Sequence, residues 1–361
     1  VSGDYYRRYT TDMYTASVAL PAVYGTGSPK GNNAEMKTDG WELSLSWRDS
    51  FKLGGKPFDY SIKAMVWDSK SVITKYVNDT GSLGTVKGFI ENGGSPSSYY
   101  VGMTVGEIWG YTVAGLFRDQ ADIDSSAIHD FVQASDKVTR PGQVKIADLD
   151  GNGFIDPGNF AVDDHGDLRI IGNQSPRYRY GVNLSARWNG IGLSVFLQGV
   201  GARDWYPGSD AGMFWGKYGR PFFALIPSIH NYTDDMYSAE RNNWDTAYWP
   251  RMTTYQSNGT KNWTRLLEIP NTRYIQSAAY LRVKNIQLDY SFPKHICSAI
   301  RLQGLKIYVN AENLFTFTPL HKYAPNFDPE GLSYDSDFAS AADGYTYPIL
   351  KSVTVGVNIT F

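Results

Sequence analysis

The residues with the most explicit chemistry lie in the segment Asp148-Leu-Asp-Gly-Asn-Gly-Phe-Ile-Asp156. Short oxygen-bearing side chains stand at its first, third, fifth and ninth positions, and a glycine stands at the sixth. This spacing lets a tight loop wrap around a hard cation, as in the calcium loop of EF-hand proteins. The predicted ligands of a Ca²⁺ ion are Asp148, Asp150, Asn152, the carbonyl of Phe154, Asp156 and, at position twelve of the motif, Asn159.

Position twelve departs from the calcium motif. Asn159 stands where EF-hands carry a bidentate Glu, so one charge and one ligand oxygen are lost, and Asp163 or Asp164 is a candidate replacement. Two interpretations stay open: a site for Ca²⁺ or a similar hard cation, and a metal-free turn built from Asp, Asn and Gly. Val144-Lys-Ile before the loop has the pattern of a strand, which favours a rigid loop over a helix-flanked calcium sensor.

A second group of candidate residues is aromatic and falls in segments rich in Gly, Pro and Asp. Aromatic faces stack on sugar C–H groups, and they also bury large areas in ordinary packing and at protein interfaces. Loop packing or contact with a partner protein is favoured over a glycan platform, and both interpretations remain. These candidate ligand-binding or partner-contacting residues are Trp205, Tyr206, Phe214, Trp215, Trp244 and Trp249.

No catalytic constellation is recognisable in the sequence. The five histidines, among them His230, His295 and His321, show no metal-ligand spacing, and no Ser/His/Asp order or pair of acids stands in a catalytic context. Cys297 is the single cysteine, so the chain cannot form an internal disulfide. The net charge of −2 gives no indication of nucleic-acid binding. We therefore expect a protein that is not an enzyme and has no nucleic-acid partner.

The elements that position these residues are strands with alternating apolar and polar side chains. From Val353 to Phe361 every second residue is apolar, and the residues between them are small or polar. Trp41–Arg48 and Tyr178–Trp188 alternate in the same way, and Asn189-Gly190 supplies the two-residue turn of a hairpin. Such strands suit a sheet with hydrocarbon on one side and water or polar filling on the other.

One strand changes parity, and the connections differ in length. Tyr280–Phe292 shifts its apolar positions near Lys284-Asn285, which predicts a β-bulge. Long connections over 68–107, 118–177, 199–280 and 318–348 contrast with tight turns, as expected of the two rims of an outer-membrane barrel. Ten Trp, 26 Tyr and 17 Phe would fill its aromatic girdles. The predicted fold class is all-β, an antiparallel transmembrane β-barrel contributing about eight to ten strands.

Several longer motifs occur in a characteristic order. They are Asn33-Ala-Glu-Met-Lys-Thr-Asp-Gly-Trp-Glu-Leu43, with Ser44 and Leu45 following, Val105–Tyr111, Lys145–Asp156, Ile171–Pro176, Phe196–Asp204, Tyr280–Ile286, Asn310–Phe315 and Tyr347-Pro348. With these motifs, almost from end to end, the chain resembles the C-terminal portion of the SusC/RagA-like TonB-dependent transporters of Bacteroidetes outer membranes.

The resemblance implies that residues 1–361 are the later strands of a 22-stranded barrel with long extracellular loops. Residues 145–164 would be a calcium-loop-like insertion within one of those loops. The plug, the TonB box and the earlier strands are expected on a preceding segment, so that this chain starts internally and does not close alone.

The resemblance also implies a function and partners. The family imports oligosaccharides or peptides across the cell outer membrane, with energy supplied by TonB through the plug. A SusD-like surface lipoprotein acts as a hinged lid over the extracellular loops, and transporter–lipoprotein pairs associate as dimers. Outer-membrane lipid is expected against the apolar strand faces.

Two other classes of protein remain as alternatives. A secreted, calcium-stabilised glycan-binding β-protein would explain the Asp148–Asp156 loop and the aromatic segments, but not the alternation of the last strand. A secreted glycosidase would need two positioned carboxylates, which the sequence does not reveal. A requirement for detergent separates the transporter from both alternatives.

Overall fold

The computed structural model describes residues 1–17, 23, 25, 27, 29–85, 88–89, 94–128, 139–207, 214, 235–251, 269–332 and 349–361. Its strands are β1 (Ser2–Ala16), β2 (Lys30–Leu53), β3 (Lys56–Lys75), β4 (Glu107–Tyr111), β5 (Val113–Leu116), β6 (Val144–Ile146), β7 (Leu168–Asn173), β8 (Arg177–Trp188), β9 (Ile191–Ala202), β10 (Asp204–Trp205), β11 (Gln276–Ser277), β12 (Tyr280–Ser291), β13 (Gly304–Phe317) and β14 (Ser352–Thr360). Two short helices, α1 (Gln120–Asp124) and α2 (Lys294–Ala299), and a 3-10 turn (Pro319–Lys322) complete the elements. No helix in these described ranges has the length and apolarity needed to cross a membrane.

The main element is one antiparallel sheet of eight strands in the order β1-β2-β3-β8-β9-β12-β13-β14. Three two-stranded sheets, β4–β7, β5–β6 and β10–β11, lie in the connections. The predicted antiparallel fold class is confirmed. The predicted alternating strands lie within the large sheet, and the strand pattern at Val144-Lys-Ile corresponds to β6 of a two-stranded sheet.

One face of the sheet is apolar because the cross-strand register aligns the apolar positions of neighbouring strands. Trp47 and Leu288 on this outward face are 55% and 54% exposed. One row, read across seven strands, is Trp47, Ile62, Leu184, Val195, Ile286, Ala311 and Val353. An exposed apolar surface of this extent needs a covering medium or partner.

Aromatic residues bound the apolar face at both ends. The row next to the tight turns contains Phe51, Phe58, Trp188 and Tyr290, and Trp41 pairs with Tyr5 at the other end. The ten-residue step from Phe51 to Trp41 measures about 34 Å along a strand, or roughly 26 Å in height at a 40° tilt. That height matches the apolar band of a membrane barrel, about 25 Å.

The opposite, inward face is polar. A representative row reads Arg48, Ser61, Ser185, Ser194, Gln287, Asn310 and Thr354. The hydroxyls of Ser61 and Ser185 lie 2.7 Å apart. The alternation predicted from the sequence therefore holds across the whole sheet below the long connections.

The two rims differ as predicted. Gly54-Gly55 and Asn189-Gly190 make tight turns at one rim, and all four have positive φ angles, 58° and 79° for the first pair and 49° and 86° for the second. The connections β3–β8, β9–β12 and β13–β14 leave from the other rim. The predicted bulge is also present, since the register of β12 shifts between Val283 and Asn285 against both of its neighbours.

The wall formed by β1, β2 and β3 rises higher than the sequence predicted. β2 has 24 residues, about 80 Å of strand, whereas a membrane crossing needs about 9–11 residues. Its first half packs inward against the connections, where Ala34 and Thr38 are each 2% exposed. The alternation in the sequence predicted β2 only from Trp41 onward, and it did not predict β1. The connection that was predicted to start at Asp68 starts instead after Lys75, where β3 ends.

Candidate functional site

The long connections form a loop layer, which we define as residues 76–176, 203–279 and 318–332 where described. Its buried side chains make one hydrophobic cluster that continues onto the wall through Ile73. The cluster contains Leu83, Tyr111, Leu168 and Leu320, all completely buried. The candidate site residues are therefore held by a packed core rather than by isolated loops.

The predicted aromatic residues lie inside this core. Trp205, Tyr206 and Phe214 are completely buried, and Trp249 is 3% exposed. Phe214 makes edge contacts with Trp205 at 6.1 Å and with Trp249 at 5.1 Å between ring centroids. These four side chains therefore pack inside the loop layer.

The remaining two aromatic candidates differ. Trp244 is partly buried and packs against the hydrophobic cluster. Trp215 lies outside the described residues. A stack that the sequence analysis did not single out joins Tyr248 to Tyr323, with ring centroids 3.6 Å apart and an interplanar angle of 3°.

The Asp148–Asp156 loop follows β6 and is closed by its own backbone. The Asp148 carboxylate accepts hydrogen bonds from the N–H groups of Gly151 at 2.7 Å and Gly153 at 3.0 Å. Both glycines have positive φ angles, 76° and 85°, which suits glycine and lets the chain curl around Asp148. These N–H groups, that of Gly153 foremost, lower the pKa of the Asp148 carboxyl below its ordinary value.

The other predicted ligands support the same curl. Asn152 donates from its amide to Asp150 at 3.1 Å and to Asp156 at 3.2 Å. Its side-chain oxygen accepts a hydrogen bond from the N–H of Phe154 at 2.7 Å. Asp156 in turn accepts one from the N–H of Gly158 at 2.7 Å. The loop is thus a set of successive Asx turns with its carboxylates gathered together.

Asp167 joins the loop from outside the predicted motif. It is completely buried, and its two oxygens accept hydrogen bonds from the N–H groups of Leu149 at 2.6 Å and Asp156 at 3.1 Å. Burial raises the pKa of the Asp167 carboxyl, and the nearby Asp150 and Asp148 carboxylates act in the same direction. Burial and the neighbouring carboxylates thus disfavour the ionised form of Asp167, and a bound cation would favour it.

Three carboxylates converge at one point. One oxygen from each of Asp148, Asp150 and Asp167 lies within 4.8 Å of the other two. Oxygen donors at such separations fit the coordination sphere of a hard cation such as Ca²⁺. Ca²⁺ at this point stays a prediction.

Asn159, the residue at motif position twelve, lies apart from the three carboxylates. Its amide donates to the Asp164 carboxylate, and its backbone N–H donates to the Asp164 carbonyl at 3.1 Å. Residues 157–166 form an excursion whose ends meet, since the N–H of Asp167 donates to the carbonyl of Asp156 at 2.9 Å. Two features of the sequence could have indicated Asp167. It is the last acidic residue after the calcium-loop motif, and it stands directly before β7.

A cluster of charges on the inward side, which the sequence analysis did not predict, ties the loop layer to the sheet. Arg282 of β12 is 2% exposed and donates to Asp328 at 2.6 Å and to Glu330 at 2.6 Å. Lys284 also pairs with Glu330, at 2.8 Å. Arg203 donates to the carbonyl of Pro329 at 3.3 Å and also bonds that of Leu332. The segment 328–332 is therefore fixed to Arg282 and Lys284 of β12 and to Arg203, which directly follows β9.

Further down the inward face, the charges pair across strands. Asp289, 5% exposed, has Lys306 at 3.2 Å and Arg187 at 3.9 Å. A recess of about 770 Å³ nearby is lined by Arg48 and Lys63 together with Ser and Asn side chains. The charges on this face are mixed in sign, so its field favours neither anions nor cations.

Comparison with known proteins gives relatives over the whole chain. No family model matches. The TonB-dependent receptor P3 of Formosa agariphila is 25% identical over 369 residues, which cover 100% of this chain and 32% of the receptor. The TonB-dependent receptor P26 of the same organism is 22% identical, covering 99% of this chain and 32% of its own length.

Solved structures give the same fold. The RagAB peptide importer in its closed-closed state matches 99% of this chain and 33% of the matched chain, with a TM-score of 0.62 and 17% identity. Its open-open state matches with a TM-score of 0.60 and 18% identity, again over 99% of this chain and 32% of the other. The predicted family resemblance is confirmed. The chain is similar, from end to end, to a portion of the SusC/RagA-like TonB-dependent receptors, and it spans about a third of the length of the relatives it matches.

Proposed function

We propose that this chain is part of the barrel of an outer-membrane, TonB-dependent importer. The observation that carries the proposal is the continuous apolar outward face, bounded by aromatic residues about 26 Å apart and backed by a polar inward face. The similarity to receptors named TonB-dependent, over the whole chain, supports the same assignment. Those relatives are named as receptors, which supports a role in transport rather than catalysis.

The cargo class that we propose is an oligosaccharide or a peptide. The RagAB proteins that share the fold are described as a peptide importer, which supports peptides as one class. The mixed charge of the inward face favours a cargo without strong net charge.

The partner that we propose is a SusD-like surface lipoprotein seated on the loop layer, with transporter–lipoprotein pairs associating as dimers. TonB would act through a plug carried by the rest of the protein. A loop layer with one packed core and ion pairs to the sheet offers a rigid surface for such a lid.

The importer proposal is tested on the full-length protein in its native host. Membrane fractionation should place it in the outer membrane with detergent needed for extraction, and affinity purification should recover a surface lipoprotein. Deletion of the gene, or of the TonB system, should abolish uptake of the same glycan or peptide. Extraction by buffer alone would refute the proposal and favour the secreted, calcium-stabilised glycan-binding alternative.

We also propose that Asp148, Asp150 and Asp167, with Asn152, the Phe154 carbonyl and Asp156 in the same loop, hold a Ca²⁺ ion. The convergence of three carboxylates, one of them buried, supports this assignment. The ion would neutralise the carboxylates and stiffen the loop layer, with no part in chemistry. Equilibrium dialysis of the full-length protein against Ca²⁺ after treatment with chelator should recover bound calcium.

A further inference from the structure

The outward face of the β1–β3 wall changes from apolar to charged directly above the aromatic pair Tyr5–Trp41. Trp41, Asp39 and Lys37 alternate onto this face of β2, and Arg7 and Lys70 stand on either side of Asp39 in the cross-strand register. We call Arg7, Lys37, Lys70 and Asp39 the wall cluster. It lies one to two rows beyond the Tyr5–Trp41 pair, on the side away from the tight turns.

The wall cluster carries an excess of positive charge at an exposed position. Asp39 accepts from Arg7 at 2.5 Å, and Lys37 lies 3.3 Å from it, with side-chain exposures of 47% and 32% for the two cations. Lys70 is exposed and forms no ion pair in the part of the chain that the structure describes. Two cations therefore share one carboxylate while Lys70 has none, and the remaining positive charge needs a counter-ion from outside.

The neighbouring outward carboxylate does not supply it. Asp68 pairs with Trp41 in the register. Its carboxylate accepts hydrogen bonds from two nitrogens of the Arg177 guanidinium, Nε at 2.6 Å and Nη2. Below the aromatic level, the outward positions of β2 from Leu43 to Trp47 carry no charge at all. The cationic cluster is thus confined to the height where an aromatic belt marks the membrane interface.

The position of the wall cluster beside the aromatic belt indicates which molecule binds it. Lys and Arg beside an interfacial aromatic belt place their charges among the phosphates of lipid headgroups, while the apolar rows below contact the acyl chains. Arg binds a phosphate by two parallel hydrogen bonds, and each nearby cation strengthens binding to anionic lipid. A free anion would use the cluster alone, whereas a lipid would use the cluster and the apolar rows together.

We propose that the wall cluster binds the phosphate groups of a phosphorylated lipid in the membrane leaflet next to the loop layer. The proposal rests on the outer-membrane placement proposed above. It assigns to β1, unpredicted from the sequence, a role in seating the protein in a phosphate-rich leaflet.

The test uses the full-length transporter in detergent and native mass spectrometry. The protein is titrated with a bisphosphorylated lipid A and with its dephosphorylated form, which has the same acyl chains. The variant R7Q/K37Q/K70Q should lose at least tenfold in affinity for the phosphorylated lipid, since each cation near the surface contributes roughly fivefold. Its affinity for the dephosphorylated lipid should stay unchanged.

The matched control, R8Q/R48Q/K63Q, removes the same charge from the same three strands on the inward face. It should bind the phosphorylated lipid like the unmodified protein. A second variant, Asp39→Asn, keeps all three cations and should bind more tightly. Equal losses in both triple variants, or no loss in the first, would overturn the proposal.

A free-anion arm separates the two sources of phosphate. Inorganic phosphate that displaces the lipid at equal concentration would show a site for an adventitious ion only, and would overturn the lipid proposal. Uptake and outer-membrane fractionation are measured on the same variants. Lost lipid selectivity with retained uptake concerns the wall cluster alone, whereas a protein absent from the outer membrane would contradict the proposed function instead.

Discussion

Asp167 is an acidic residue whose side chain is completely buried. Its pKa is raised by burial, and it faces the carboxylates of Asp148 and Asp150. The ionised side chain is therefore costly without a cation and favourable with one. The dependence on a cation should be visible in stability measurements.

The first prediction concerns the variant Asp167→Asn. In the unmodified protein, Ca²⁺ added after chelator should raise the Tm, and in Asp167→Asn that increase should be lost because one ligand charge is missing. Differential scanning fluorimetry of the full-length protein measures both. The control is Asp79→Asn, which changes an exposed acid of the loop layer outside the cluster. A calcium-dependent increase that survives in Asp167→Asn would contradict the assignment.

The second prediction concerns Arg282, whose guanidinium is buried against two carboxylates. Arg282→Met should destabilise the attachment of residues 319–332 by about 3 kcal/mol, because Asp328 loses its cation and Glu330 keeps only Lys284. Hydrogen exchange of that segment measures the loss. The double variant R282M/D328N should recover much of it, since Glu330 keeps its ion pair with Lys284 and no charge is left unpaired. Arg48→Met, at an exposed inward arginine, should leave exchange in the segment unchanged.

At the scale of the elements, glycines opposite tyrosines fix how closely strands pair. Gly356 of β14 pairs with Tyr308 of β13, and a Cβ at Gly356 would lie 2.3 Å from the tyrosine ring. Gly40 and Tyr6 repeat the arrangement between β2 and β1. The ring thus fills the space that a side chain on the glycine would occupy.

The third prediction follows from this pairing. Gly356→Ala should destabilise the β13–β14 pair by about 1–3 kcal/mol because the ring must leave its place. In Y308A/G356A the penalty should shrink, which a double-mutant cycle on unfolding free energies measures. Gly304→Ala is the control, since its nearest neighbour would lie 3.5 Å away. An equal penalty for both single glycine variants would refute the steric explanation.

Alternation of apolar and polar residues predicted the strands that have one apolar and one polar face. It failed for strands whose two faces have similar surroundings. β9, β13 and β14 have one apolar and one polar face, so period-two patterning located them. β1 carries a Tyr and an Arg on each face, Tyr5 and Arg7 outward and Tyr6 and Arg8 inward, so the pattern had no contrast. The upper half of β2 packs against the loop layer, where burial depends on contacts distant in sequence.

The site was predictable only as far as its residues are local. The Asp148–Asp156 loop was found because its donors follow a fixed spacing. Asp167 reaches the same point only after residues 157–166 return to Asp156, and Asp328 reaches Arg282 from 46 residues away. No spacing rule encodes such contacts, which form only when the loop layer packs.

At the scale of the whole molecule, the outward face requires hydrocarbon. The fourth prediction is that Ile286→Arg lowers outer-membrane abundance of the full-length protein, because a cation near the middle of the apolar band costs about 2–4 kcal/mol. Its neighbour Gln287 points inward, so Gln287→Arg should be tolerated. Quantitative immunoblotting of membrane fractions compares the two. Similar abundances for both variants would contradict the assignment of the faces.

The excursion of residues 157–166 can vary in length without affecting the acidic loop. It is tied at its base by Asp156 and Asp167 and held along its course by Phe160, which packs on Phe89. Its exposed turn at Asp163 can gain residues without moving either end. Homologous genes can therefore differ in length at this turn while keeping the same acidic loop, and a short epitope inserted there would report the protein's presence to an antibody without entering its packed core.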